Sequence, residues 1–208
     1  MPRRNRSRPD HRRTAIAQEA ARLMQEHGLR DFRSAKEKAG LRLQLGDKGA
    51  LPSNQEVELA MAERNRIFRG DEHEAFLDVM RQQALQVMAE LAAFDPRLVG
   101  GVLAGTATET SAIELHAFSD TSEALGAALE ALGLAARPFE QRLRVRRDRT
   151  ESFPGYRFQR NDFDFRLTVF PERGRGNAPL SAIDSRPTRR ATARDVAALL
   201  AQRLPTST

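Results

Sequence analysis

Residues 99 to 118 read VGGVLAGTATETSAIELHAF, a glycine turn followed by a short alternating segment. Gly100 and Gly101 come directly after a hydrophobic residue, which predicts a strand that ends in a turn needing the conformational freedom of glycine. The alternation at the end of the segment predicts a second strand. Glu114 and His116 are two residues apart on it, so their side chains point to the same face. The stretch predicts an α/β arrangement in which a carboxylate and an imidazole accompany a glycine turn.

This glycine turn has the residue types that bind phosphate. Glycines let backbone amides approach phosphate oxygens closely, and nearby hydroxyl groups add donors. The candidate nucleotide-binding residues of the turn are Gly100, Gly101, Gly105, Thr106 and Ser111. The alternative is a tight turn that only connects a strand with a helix.

Divalent-metal chemistry at this turn needs at least two carboxylates. Residues 163 to 170 alternate in the pattern of a strand, with Asp164 on the outward face together with Arg166 and Thr168. Asp162 lies just before this segment. Hard divalent cations take oxygen ligands, so two carboxylates on one face would suit Mg²⁺ or Mn²⁺. A sheet edge facing solvent is the alternative for Asp164.

These motifs resemble those of the nucleotidyltransferase superfamily, the group that includes polymerase beta and the minimal nucleotidyltransferases. Residues 99–101 match the opening of the family motif, 105–108 its linking turn and 111–115 its metal-bearing strand. The resemblance implies a nucleoside triphosphate as ligand, a divalent metal, and Glu114 and Asp164 as catalytic residues. The family has a further carboxylate on a later strand; Asp164 is the preferred match to it and Asp162 is the other candidate.

The chain also resembles uncharacterised bacterial proteins labelled as nucleotidyltransferases, and that resemblance covers most of its length. The segments that carry it are AIAQEAARLM, LPSNQEVE, VLAGTATETSAIELHAFSDT and APLSAIDSRP.

One position departs from the family motif. Ala112 stands where the family has its first metal-binding Asp, and Glu114 stands at the second. The missing Asp bridges two metals in the family, so the resemblance implies at most one ion, held by Glu114, Asp164 and His116. An imidazole ligand would favour Mn²⁺ or Zn²⁺ over Mg²⁺. We expect a nucleotidyltransferase-like protein that binds a nucleoside triphosphate and one divalent metal and transfers a nucleotide, with slow or absent transfer as the second version of this hypothesis. For His116, a hydrogen-bonded structural role is the alternative.

Arginine supplies most of the positive charge, and the formal net charge is +6. Arg142, Arg144 and Arg146 alternate with hydrophobic residues, which predicts a row of guanidinium groups on one strand face. Such a row could bind a triphosphate, with Arg144 as a nucleotide-binding residue, or an RNA backbone. The second functional hypothesis is therefore a non-catalytic binding or scaffold module for RNA or an acidic protein partner; a solvated face is the structural alternative.

The pattern along the chain predicts an α+β protein with an N-terminal helical bundle followed by a small mixed-sheet half, and the resemblance implies that this second half is nucleotidyltransferase-like. Residues 1–13 are rich in arginine and are expected to form a disordered basic arm. Four helical patterns, with the first starting at Thr14, make residues 14–94 a helical region that packs on the second half. Residues 95–208 form the nucleotidyltransferase-like domain, with strands at 97–100, 112–118, 142–147, 156–158 and 163–170 and a long loop from 171 to 190.

Capping residues mark several helix starts in the sequence. A side-chain acceptor followed three residues later by a carboxylate satisfies the first free backbone amides of a helix. The pairs with this spacing are Ser53 and Glu56, Asp71 and Glu74, Asp120 and Glu123, and Thr192 and Asp195.

The composition excludes several classes of protein. The 208 residues include no cysteine, which rules out disulfides and thiolate metal sites and fits a reducing cytoplasm. No apolar run approaches the length of a membrane span. The basic N-terminus is followed by an amphipathic pattern, so we expect neither a secretory signal nor a membrane partner, and a cytoplasmic location.

Overall fold

The computed structural model describes residues 11–29, 31–45, 51–68 and 70–202. Within these ranges the chain forms seven α-helices and one five-stranded mixed sheet, which confirms the predicted α+β class with its N-terminal helices. The chain divides into two compact units: a helical unit that runs to Gly70 and includes residues 182–184, and a sheet unit that contains residues 71–181 and the chain from Ser185 on. Most of the predicted arm, residues 1–10, lies outside the described ranges.

The helical unit contains α1 (His11–Glu26), α2 (Phe32–Arg42) and α3 (Asn54–Phe68). Helix α1 begins before the predicted start at Thr14 and packs on both α2 and α3. The capping box that opens α3 is confirmed, because Ser53 N donates to a Glu56 carboxylate oxygen at 2.7 Å and Glu56 N donates to Ser53 Oγ at 3.2 Å.

Helix α4 (Gly70–Glu90) belongs to the sheet unit. The sequence placed it in the N-terminal bundle, but its apolar residues share one buried core with the strands, including Leu77, Met80, Val87 and Met88. Asp71 was expected to precede this helix as a cap; the helix already begins at Gly70, so Asp71 lies in its first turn. A short 3₁₀ helix, Ala92–Phe94, leads from α4 to the sheet.

Five strands form the sheet in the order β1-β2-β5-β4-β3. The remaining elements of the sheet unit, in chain order, are β1 (Arg97–Val99), α5 (Gly100–Ala104), β2 (Ile113–Phe118), α6 (Ser122–Ala131), β3 (Arg137–Arg146), β4 (Arg149–Arg160), β5 (Phe163–Phe170) and α7 (Ala193–Ala201). β2 and β5 are parallel neighbours, whereas the other neighbouring pairs are antiparallel. β3 and β4 are a long hairpin, not the two short strands expected from the sequence.

The two faces of the sheet have different environments. One face carries the side chains of Ile113, Leu115 and Leu167 into the core formed with the helices. We call the opposite face the polar face, and alternation from the observed register assigns to it Arg97, Glu114, His116, Phe139, Gln141, Arg157, Asp164, Arg166 and Thr168.

The loop from 171 to 190 connects β5 to α7. It contains a 3₁₀ helix, Glu172–Gly174, and one isolated bridge between Leu180 and Pro187. The predicted capping box of α7 is confirmed, with Thr192 and Asp195 each accepting from the other's backbone amide.

The expected cap at Asp120 is wrong. Thr121 occupies the N-cap position of α6, and an Asp120 carboxylate oxygen accepts from Glu172 N at 3.1 Å. The side chain of Asp120 therefore holds the loop after β5 rather than the start of α6. None of the described helices combines the length and the apolar composition needed to cross a membrane.

Candidate functional site

The glycine turn after β1 is closed by its own hydrogen bonds. Gly100 has φ +70° and Gly105 has φ +79°, a backbone region that favours glycine at both positions. The carbonyl oxygen of Gly101 accepts from Thr106 N at 2.9 Å and from Ala107 N at 3.2 Å. Thr106 is buried, and Ser111 Oγ accepts from Thr108 N at 2.9 Å. Two of the predicted nucleotide-binding residues, Thr106 and Ser111, thus also maintain the turn.

Glu114 lies directly against Gly100. A Cβ atom built on Gly100 would overlap the Glu114 carboxylate oxygen Oε2. The approach follows from the antiparallel pairing of β1 and β2, which sets Glu114 opposite Val99. The structure therefore brings the glycine turn and the predicted catalytic carboxylate together, and a side chain at position 100 would separate them.

Asp164 lies on the same face as Glu114. β5 runs parallel to β2 with Phe165 opposite Ile113, so Asp164 is beside Ala112, the position where the family motif has its first Asp. Asp164 is exposed. Asp162, the other candidate, is exposed in the turn before β5 with φ +67°. The structure thus places one exposed carboxylate on the strand next to Glu114.

Arg166 is the cationic neighbour of Glu114. Its Nη1 atom lies 3.8 Å from Glu114 Oε1, and its Nε atom is buried with no hydrogen-bond partner in the described chain. The guanidinium group also lies over the Phe139 ring, 5.1 Å from its centroid, and Arg157 lies over the same ring at 5.3 Å. The glycine at 155 permits this stack, because a Cβ there would be 2.7 Å from Phe139.

His116 is buried and held by Arg190, which donates from Nε to His116 Nδ1 at 3.0 Å. A guanidinium group is only a donor, so Nδ1 accepts and the proton of the neutral ring is on Nε2. Burial and then the charge of Arg190 lower the pKa of His116 to about 3, which keeps the ring neutral. Neither ring nitrogen retains a free lone pair, so this arrangement does not fit His116 as a metal ligand.

Arg190 is a functional candidate that sequence reasoning missed. Its Nη1 atom donates to the carbonyl oxygens of Gly174 at 2.9 Å and Arg175 at 3.2 Å. The guanidinium group lies 4.5 Å from the centroid of the Phe170 ring. Burial and then the nearby charge of Arg97 lower its pKa to about 10. No local pattern distinguishes Arg190 from the other arginines of its loop, since its side-chain partners His116 and Phe170 lie on β2 and β5.

The structure does not bring Arg144 to the glycine turn. Its pairing with Thr150 sets Arg144 on the face opposite to Glu114, where Nη2 donates to Ser185 Oγ at 2.5 Å. Arg142 shares that face, and the register shifts between Arg144 and Arg146. Arg142 and Arg144 therefore lie on a basic surface separate from the polar face, whereas the register shift breaks the predicted row of three before Arg146, which pairs with Arg149.

The surroundings do not fit the predicted Mg²⁺ or Mn²⁺ site. Within the described ranges, no three His, Asp or Glu side chains lie close enough together to hold a metal ion. Of the three expected ligands, Glu114 faces the Arg166 guanidinium and His116 faces that of Arg190. A divalent cation at this position would lie beside two positively charged groups. Their repulsion would weaken the binding of the cation.

The buried His116 predicts a pH-dependent stability. Because folding lowers the pKa of His116 from 6.5 to about 3, the unfolded chain takes up a proton below pH 6.5 that the folded chain does not. This contribution is complete above pH 6.5 and is lost as the pH falls toward 3, at about 1.4 kcal/mol per pH unit. We expect the sheet unit to lose roughly 2 kcal/mol between pH 6.5 and 5 in denaturant titrations, and His116→Gln to remove that dependence.

The control for this measurement is His27→Gln, because His27 is exposed. That variant should keep the pH dependence of the wild type. If the stability of His116→Gln depended on pH as that of the wild type does, the buried, neutral state of the His116 imidazole would be contradicted.

Comparison of the chain with protein-family models, with curated proteins and with solved structures returns no match.

Proposed function

We propose that the polar face binds a nucleoside triphosphate beside the glycine turn, as in a nucleotidyltransferase-like protein whose transfer activity is slow or absent. The observation that carries this proposal is the contact of the Glu114 carboxylate with Gly100, with Asp164 on the parallel neighbouring strand. This is the arrangement of turn and carboxylates that the family resemblance implies.

The charges of the polar face support a phosphate ligand. Arg157, Arg166 and Arg190 lie on or against it, and a planar guanidinium group can make paired hydrogen bonds to phosphate oxygens. Backbone amides of the glycine turn add uncharged donors. These groups favour an anion over a cation.

Ala112 is the reason to expect slow or absent transfer. In-line displacement with two metals requires a carboxylate that bridges both ions, and an alanine side chain has no ligand atom. Glu114 and Asp164 remain as the candidate catalytic residues, and an RNA or protein acceptor completes the proposal. The absence of cysteine from the sequence supports a cytoplasmic location.

Thermal unfolding of the full chain with each nucleoside triphosphate tests the proposal. A ligand at about 100 times its dissociation constant stabilises the folded state by roughly 2.7 kcal/mol, so binding gives a clear shift in Tm. The variant Gly100→Ala should lose this shift, because the new Cβ would push the negatively charged Glu114 carboxylate into the space beside the turn where the phosphates bind.

Gly133→Ala is the matched control. Gly133 has φ +71°, close to the +70° of Gly100, but nothing lies within 4 Å of a Cβ built there. Both variants share the cost of an L-residue in left-handed backbone, so both lower Tm without ligand, whereas Gly133→Ala should keep the nucleotide-dependent shift. If no nucleoside triphosphate shifts Tm in the wild type, the proposal is wrong.

The arginine row favours a second candidate, the scaffold module. Arg142 is exposed on β3 on the face opposite to the polar face, and Arg146 is exposed beyond the register shift. If this row binds RNA, the joint replacement of Arg142, Arg144 and Arg146 by alanine should weaken RNA binding and reduce its salt dependence. The plot of the logarithm of the binding constant against the logarithm of the salt concentration should become less steep. Its slope should fall in magnitude by about 0.7 for each phosphate of a single strand that the protein no longer neutralises. Gly100→Ala should leave such binding unchanged.

A further inference from the structure

We infer that Arg166 and Arg190 neutralise the phosphate charge of the ligand themselves, so that the polar face binds nucleoside triphosphate without a divalent metal. This inference rests on the proposed function and specifies the source of the positive charge. It also gives a role to two arginines whose donors the fold leaves incompletely used.

Arg190 is a half-buried cation with uncharged partners. In the described part of the chain its hydrogen bonds go to a neutral imidazole and to two carbonyl oxygens, and Nη2 is buried without a partner. A buried charge without a counter-ion is costly, so such a group is normally paired with a carboxylate. The fold holds this guanidinium group at His116 without neutralising it.

Arg166 is incompletely neutralised as well. Its nearest carboxylate oxygen, in Glu114, is 3.8 Å from Nη1, which is beyond hydrogen-bond distance, and Nε has no partner in the described ranges. An anion that binds here would receive a charge-assisted hydrogen bond from a group already fixed over the Phe139 ring.

The guanidinium groups of Arg166 and Arg190 lie beside side chains at neighbouring positions of the polar face. Arg166 accompanies Glu114 and Arg190 accompanies His116, and these two residues are about 7 Å apart along β2 at the usual rise of a strand. Glu114 is also the residue that touches Gly100. Arg166 is thus the nearer positive charge to an anion at the glycine turn, and Arg190, which lies over the Phe118 and Phe170 rings, is further along β2, where the end of an extended polyphosphate would reach it.

Fixed guanidinium groups can replace the electrostatic contribution of a metal. A divalent ion neutralises phosphate charge and orients its oxygens, and arginine does both through its charge and its planar donors. The same arginines oppose the binding of a cation at Glu114 and His116. One set of contacts therefore accounts for both the poor fit of a metal and the fit of a polyphosphate.

Isothermal titration calorimetry of the full chain with ATP tests the inference, with EDTA in one series and Mg²⁺ in the other. The dissociation constants in the two series should agree within about threefold. Inorganic tripolyphosphate should compete with ATP in EDTA, because the arginines recognise phosphate. Arg190→Gln and Arg166→Gln should each weaken ATP binding at least about tenfold, since each substitution removes a positive charge and its charge-assisted hydrogen bonds to phosphate.

Arg194→Gln is the control variant, because Arg194 is an exposed residue of α7, and it should bind ATP like the wild type. Arg190→Lys keeps the charge but loses the planar donors, so it should bind with an intermediate affinity even where Arg190→Gln folds poorly. Binding of ATP that requires Mg²⁺, or failure of tripolyphosphate to compete, overturns the inference while the proposed function stands. If ATP binds in neither series, both are wrong.

Discussion

Gly155→Ala is expected to destabilise the sheet unit by about 3 kcal/mol, near the upper end for an overpacked site. The new Cβ would lie 2.5 Å from the backbone oxygen of Leu167 and 2.7 Å from the Phe139 ring. Neither neighbour can yield cheaply, because one is backbone of the central β5 strand and the other is a ring in contact with the guanidinium groups of Arg157 and Arg166. Denaturant unfolding can be followed by tyrosine fluorescence, since Tyr156 on β4 is the chain's single tyrosine and the chain has no tryptophan.

Gly176→Ala provides the comparison for this stability measurement. Nothing lies within 4 Å of a Cβ built on Gly176, so its free energy of unfolding should stay within roughly 0.5 kcal/mol of the wild type. Equal stability of the two variants would contradict the packing of Phe139 across β4, and with it the fixed position of Arg166.

Glu114→Gln is expected to strengthen ATP binding in EDTA, about fivefold. The substitution keeps the shape of the side chain over Gly100 but removes a negative charge near the bound phosphates, which is worth about 1 kcal/mol at 4 Å in water. It also frees Arg166 from its nearest carboxylate. A metal-dependent site predicts the opposite sign, because Glu114 would then be a ligand and its loss would abolish binding.

Calorimetry measures this effect against Glu123→Gln, a charge-matched change at an exposed residue of α6. That control should leave the affinity for ATP unchanged. Weaker binding by Glu114→Gln in EDTA would refute the assignment of charge neutralisation to the arginines and restore the metal-dependent account.

Local signals were sufficient for much of the fold. The strand over 163–170 was predicted with the bounds that β5 has, because its alternation is uninterrupted. The capping boxes of α3 and α7 were predicted from residues three apart that contact each other directly. The shared face of Glu114 and His116 likewise followed from strand periodicity alone.

Features that depend on contacts between residues far apart in the sequence could not be predicted from local patterns. The apolar pattern of α4 indicated a buried face but not that a sheet would cover it. Alternation placed Arg142 and Arg144 on one face, yet only the observed pairing of β3 with β4 shows that this face is opposite to Glu114. Arg190 reaches His116 from 74 positions further along the chain, so no spacing rule could connect them.

The central claim, that nucleotide phosphates bind at the polar face, is tested most directly by NMR. Uniformly ¹⁵N-labelled protein of 23.3 kDa would be titrated with ATP in EDTA, and backbone amide shifts would be mapped onto the chain. The account predicts the largest shifts at Gly100, Gly101 and Glu114, with residues 142–146 unperturbed. Shifts confined to residues 142–146, or no shift at the glycine turn at saturating ATP, would contradict it.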